Sequence, residues 1–187
     1  MVGETSGGMK TVCVFCGSSS GADPAYVGAA RLVGKLVAAS GVRLVYGGGR
    51  VGLMGALADA AIAAGGEVVG VIPKALVDRE LAHRGVTDLR VVGSLHERKA
   101  LMYGMSDAFI TLPGGLGTLE EFFEAWTLAQ LGLLPKPIGL LEVNGFFTPL
   151  LNYLDGVVGS GLIRPDDRQM LLVDSDPESL LRRMAGG

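Results

Sequence analysis

Val42-Arg43-Leu44-Val45-Tyr46 runs directly into Gly47-Gly48-Gly49-Arg50-Val51-Gly52-Leu53-Met54-Gly55. The first five residues are mostly apolar and β-branched or aromatic, the composition of a buried strand. The glycines allow a tight turn, and residues 53–64 then carry a helical pattern. The same strand–loop–helix unit recurs along the chain. Short apolar runs at 11–16, 42–46, 67–72, 89–92, 108–112, 137–141 and 171–173 read as strands. Residues 24–40, 53–64, 96–105, 118–131, 147–160 and 177–184 read as helices. Pro24 suits a first helical turn after Asp23, and Gly41 suits a helix stop. Strands that are apolar along their length and alternate with helices require a parallel sheet covered on both faces. Right-handed crossovers then give an α/β fold, a single-domain Rossmann-like doubly wound parallel sheet. No Pro/Ser-rich linker and no internal repeat interrupts it, so 11–187 reads as one domain behind a short disordered leader at 1–10.

Glycine accounts for 30 of the 187 residues, about twice its usual share. No G-X-Y period accompanies it, proline numbers 8, and 49% of the residues are hydrophobic. A fibrous or disordered chain is thereby excluded. Lys+Arg of 16 against Asp+Glu of 19 leaves a net charge of −3, and no basic block is present to make nucleic acid a partner. No apolar run reaches the ~18 residues of a membrane helix, and the first ten residues lack the order of a signal peptide. A cytoplasmic protein with no membrane partner is expected. Cys13 and Cys16 form a C-x-x-C, but within an apolar strand, where residues three apart face opposite sides. Two buried core thiols are expected. His83 and His96 are too few and too isolated to hold a metal. Neither a metal nor a cofactor is expected.

In doubly wound sheets, ligands sit beyond the carboxyl ends of the strands. The loop from Gly47 to Gly55, with Gly48, Gly49, Gly52 and Met54 inside it, has the features of an anion cradle. A tight, closely packed turn is the alternative. Gly47, Gly49 and Gly52 also satisfy G-x-G-x-x-G, but this is the second strand-to-helix turn, and the next strand ends without a carboxylate. No Gly-Lys-Ser/Thr of a P-loop follows either. A single phosphate therefore fits better than a dinucleotide or a triphosphate.

The fifth strand ends in Leu112-Pro113-Gly114-Gly115-Leu116-Gly117-Thr118-Leu119-Glu120-Glu121, a second glycine turn with a hydroxyl and two carboxylates. The carboxylates either complement a helix dipole or face a cation-like centre, such as the oxocarbenium carbon of a ribose losing its base. Ser94-Leu95-His96-Glu97-Arg98-Lys99 opens the helix between these loops. Arg98 either grips a phosphate or a substrate hydroxyl, or forms a surface ion pair with Glu97 or Glu120.

Taken together, G-G-G-x-x-G-L-M-G, H-E-R-K and P-G-G-x-G-T-x-x-E, in that order, resemble the LONELY GUY (LOG) family over residues 11 to about 174. Its members are cytokinin-activating phosphoribohydrolases, often labelled lysine decarboxylases. The resemblance implies hydrolysis of the N-glycosidic bond of an N6-modified adenosine 5′-monophosphate to the free base and ribose 5-phosphate. It implies Arg98 and Glu121 as the catalytic pair. Substrate contacts follow from Lys99, from the run Gly115, Leu116, Gly117, Thr118, Leu119, Glu120 and Glu121, and from Glu80 and Thr127. The phosphate falls to Gly115, Gly117 and Thr118, with help from the Gly47–Gly55 loop, and the family is homodimeric. Leu116 and Leu95 stand where the family often has Tyr and Met, which alters the pocket wall. Two other readings share most of these residues: a general AMP or purine-nucleotide nucleosidase, and a non-catalytic nucleotide or cofactor carrier. A carrier has no need of both Arg98 and Glu121. A lysine decarboxylase needs a Schiff-base lysine, and none of the five lysines stands in a recognisable context for one.

Overall fold

A computed structural model describes residues 8–79 and 81–186. Residues 1–7 of the expected leader therefore lie outside the described residues. Seven strands form one sheet in the order β4-β3-β2-β1-β5-β6-β7, and every pairing is parallel. They are β1 (Thr11–Phe15), β2 (Arg43–Tyr46), β3 (Val68–Pro73), β4 (Asp88–Val92), β5 (Ala108–Thr111), β6 (Ile138–Leu141) and β7 (Leu171–Asp174). The helices are α1 (Pro24–Ala39), α2 (Gly52–Ala63), α3 (Lys74–Val77), α4 (Leu95–Met105), α5 (Leu116–Gln130), α6 (Thr148–Gly159), α7 (Pro165–Gln169) and α8 (Pro177–Met184). All seven expected strands and all six expected helices are present. α3 and α7 are additions, too short for a 3.6-residue period to declare itself.

Each sheet face buries its own core. On one side α1, α2 and α8 cover Val12, Val14, Leu44, Tyr46 and Ile110. On the other, α4, α5 and α6 cover Cys13, Phe15, Val45, Val71 and Phe109. Alternate residues of one strand thus enter opposite cores, as the period of two demands. Cys13 and Cys16 are accordingly buried in different cores, as free thiols. Burial raises both thiol pKa values well above the ordinary range, so they are inert packing groups.

α1 starts where expected: the Asp23 carboxylate accepts the Ala25 N–H at 2.8 Å, Pro24 takes the first turn, and Gly41 follows the helix at φ +68°. The sheet order reverses between β1 and β5, so the chain leaving β1 and the chain leaving β5 turn to opposite faces and open a crevice. The two departing loops touch there, with Gly17 N–H donating to Pro113 O at 3.1 Å. No described helix is long and apolar enough to cross a membrane.

Candidate active site

The crevice holds a cavity of about 250 Å³, whose walls include Ser18, Met54, Leu76, Arg98, Thr118 and Glu121. Arg98 comes from the first turn of α4. That turn is set by Ser94, whose hydroxyl accepts the Glu97 N–H at 3.1 Å, while Glu97 accepts the Gly93 N–H at 2.7 Å. Glu97 is thereby committed to capping. Arg98 instead reaches across to α5, placing Nη2 3.0 Å from Glu121 Oε1, with the two side chains only 12% and 10% exposed. Arg98 Nε is buried with no hydrogen-bond partner among the described residues. Burial pushes the Glu121 carboxyl above the usual carboxylate range. Arg98 opposes that shift, and Glu120 adds to it.

The two glycine loops differ sharply. At the start of α2, Leu53 and Met54 donate their N–H groups to Gly17 O at 3.0 and 3.3 Å. That helix terminus is occupied by the protein itself. Gly52, at φ +63°, lies so close to the β1–α1 loop that a Cβ would stand 2.3 Å from the Ser18 carbonyl carbon. A Cβ on Gly47 would stand 2.1 Å from Arg98 Nη2. These glycines make room for neighbouring groups.

At the start of α5 the N-cap is Gly115, which has no side chain to cap the first turn. Gly115 and Gly117 would meet nothing within 4 Å if they carried a Cβ, whereas a Cβ on Gly114 would collide with the Thr118 hydroxyl at 2.1 Å. The first N–H groups of an α-helix have no intrahelical partner. The residues that carry them here, Leu116, Gly117 and Thr118, line the cavity together with Arg98 and Glu121.

A family profile described as "Possible lysine decarboxylase" matches residues 54–184. The cytokinin riboside 5′-monophosphate phosphoribohydrolase of Rhodococcoides fascians is 49% identical over 173 residues, covering 92% of this chain and 87% of the relative. The rice enzyme LOG (Oryza sativa subsp. japonica), named for the same activity, is 46% identical over 170 residues, covering 91% and 70%. The chain belongs to the LOG family. Its fold is also that of the molybdenum cofactor binding protein from Rippkaea orientalis, at TM-score 0.70 and 24% identity, covering 95% of this chain and 96% of that one. The Moco carrier protein of Chlamydomonas reinhardtii is similar at TM-score 0.69 and 20% identity, covering 95% and 99%. At these identities the likeness concerns the fold alone.

The contacts implied by LOG resemblance are only partly gathered in this cavity. Arg98, Met54, Gly115, Leu116, Gly117, Thr118 and Glu121 line it. Lys99 points elsewhere. Its ammonium lies between Glu120 and Glu124, 2.8 Å from Glu124 Oε2, and Tyr103 donates to the same Glu124 at 2.7 Å. Burial alone would lower the Lys99 pKa, but the bonds to Glu120 and Glu124 outweigh it and raise it. Leu119 packs against the core beneath α5. Thr127 is exposed almost two turns further along α5, donating to Phe123 O at 2.7 Å. Glu80 lies outside the described residues. The cavity also includes Cys16, which sequence reasoning marks only as a core thiol, and Ser18 and Leu76, which it does not single out. The signal for Ser18 was available: Gly17-Ser18-Ser19-Ser20-Gly21 directly follows the first strand.

Proposed function

We propose that this protein hydrolyses the N-glycosidic bond of cytokinin riboside 5′-monophosphates, releasing the free base and ribose 5-phosphate. The observation that carries this reading is the buried Arg98–Glu121 pair, facing the same cavity as the open N-terminus of α5. The 5′-phosphate binds the α5 N–H groups at Gly115, Gly117 and Thr118, where backbone donors and the helix dipole favour an anion. The Gly47–Gly55 loop acts behind this site by seating Arg98 and the Ser18 loop. As the base leaves, positive charge grows on C1′, and the Glu121 carboxylate stabilises it or activates the attacking water. Arg98 orients Glu121, and its guanidinium on the cavity wall can meet a ribose hydroxyl or a phosphate oxygen.

The surroundings of Lys99 argue against a decarboxylase. Schiff-base chemistry needs a neutral amine, and the carboxylates of Glu120 and Glu124 hold this one charged. A homodimer is supported by apolar side chains left in solvent along α5 and beyond it: Leu116 at 87%, Leu131 at 63% and Leu133 at 70% exposure. Incubation with isopentenyladenosine 5′-monophosphate and with AMP, followed by chromatography of the free base, tests the activity. Faster release from the N6-modified nucleotide is expected. Equal rates would favour a general AMP nucleosidase, and release from neither would leave a carrier.

A further inference from the structure

The connection from β3 to β4 folds back over the glycine loop. α3 places Leu76 on the wall of the catalytic cavity. Beyond it, the Arg50 N–H donates to Leu81 O at 3.0 Å, the His83 N–H donates to Gly48 O at 2.9 Å, and Gly49 forms an isolated antiparallel bridge with Ala82. The His83 ring fastens this crossing. Its Nδ1 accepts the Gly85 N–H at 3.2 Å, so the ring proton sits on Nε2, which lies 2.9 Å from Asp59 Oδ1 on α2 and donates to it. The imidazole is only 13% exposed and both nitrogens are engaged. That leaves neither for acid–base work or metal binding.

Gly47, next to the anchored Gly48, is the residue against which the Arg98 guanidinium rests. We propose that His83 is a positioning residue for the reaction. It clamps the β3–β4 connection and α2 around the Gly47–Gly49 backbone, so that Arg98 Nη2 stays on Glu121. This rests on the reading of Arg98 and Glu121 as the catalytic pair.

Three variants test it. His83→Ala removes both ring bonds, His83→Asn retains an acceptor for the Gly85 N–H, and His83→Gln offers an N–H towards Asp59. Each is measured for kcat and KM on isopentenyladenosine 5′-monophosphate, for ribose 5-phosphate affinity by calorimetry, and for hydrogen–deuterium exchange over residues 47–55. His83→Ala is expected to lower kcat on the order of 10- to 100-fold. It should also quicken exchange in the loop and weaken ribose 5-phosphate by less than it lowers kcat, because the phosphate donors on α5 are untouched while Arg98 shifts. At least one amide variant should recover part of the lost kcat, and the two amide variants decide the matter if His83→Ala does not fold. Wild-type kcat in a folded His83→Ala overturns the proposal. So does a kcat loss matched by an equal loss of ribose 5-phosphate affinity, with no rescue. If the wild-type protein releases no base, the activity reading fails by itself. Loop exchange still decides the clamp, and unchanged exchange in His83→Ala overturns it.

Discussion

A carboxylate on a side chain only 10% exposed, as that of Glu121 is, loses hydration that only a partner or a bound charge can replace. Arg98 supplies one such partner, yet burial still dominates and the Glu121 pKa stays above the usual range. The free site thus favours the neutral acid more than water does, and the positive charge proposed to grow at C1′ would reverse that preference. Glu121→Gln should keep ribose 5-phosphate binding and lose on the order of 10²- to 10⁴-fold in kcat, measured by base release. The pH dependence follows with a definite sign. In the proposed mechanism the working form is the carboxylate, so kcat/KM falls as pH drops through a free-enzyme pKa that burial has raised. The acid limb of the kcat/KM–pH profile should therefore lie above the ~4.3 of a free glutamate. A limb at or below that value would remove Glu121 from this role.

Two helices begin with glycine-rich turns, and their N-termini have opposite fates. α2 is closed by Gly17 O, and its glycines accommodate Ser18, Arg98 and neighbouring backbone. α5 is left open. Substitutions should separate the two. Gly52→Ala forces a Cβ into the Ser18 backbone at a positive φ, so thermal or denaturant unfolding should show a loss of roughly 1–3 kcal/mol or more. Gly117→Ala meets no atom and sits in a helix that alanine favours, so stability should rise by about 0.5–1 kcal/mol. The added methyl nevertheless stands on the wall of the cavity proposed to take the phosphate, and KM should rise. A stabilised variant with unchanged KM would count against a phosphate on α5.

At the scale of the molecule, the strand order decides which loops can meet. The reversal between β1 and β5 brings the Gly17–Ser18 turn beside Pro113 and Gly114, and α4 delivers Arg98 across the sheet end to α5. The apolar side chains stranded beyond α5 belong to this scale as well. The proposed homodimer predicts that replacing Leu131 and Leu133 with Asp gives a folded monomer in analytical ultracentrifugation where the wild type sediments as a dimer, since both side chains are mostly exposed. An unchanged sedimentation coefficient would overturn this assignment.

The strands, the helices and the doubly wound class were legible because the sheet is buried on both sides. A buried strand must be apolar throughout, and a helix over it must carry its own period, so both signals are local. Arg98, Glu121 and the α5 turn were equally legible as candidates, because their types and spacing lie within short segments. Their relation was not. Arg98 had Glu97 and Glu120 as competing partners, and the choice of Glu121 depended on the capping of α4 and on where α5 lies across the sheet. Lys99, adjacent in sequence, is turned towards Glu120 and Glu124 because successive residues of a helix point about 100° apart. The two glycine loops looked alike for the same reason. A glycine that admits a ligand and one that admits its own protein have identical local chemistry, and only the atoms packed around them tell the two apart.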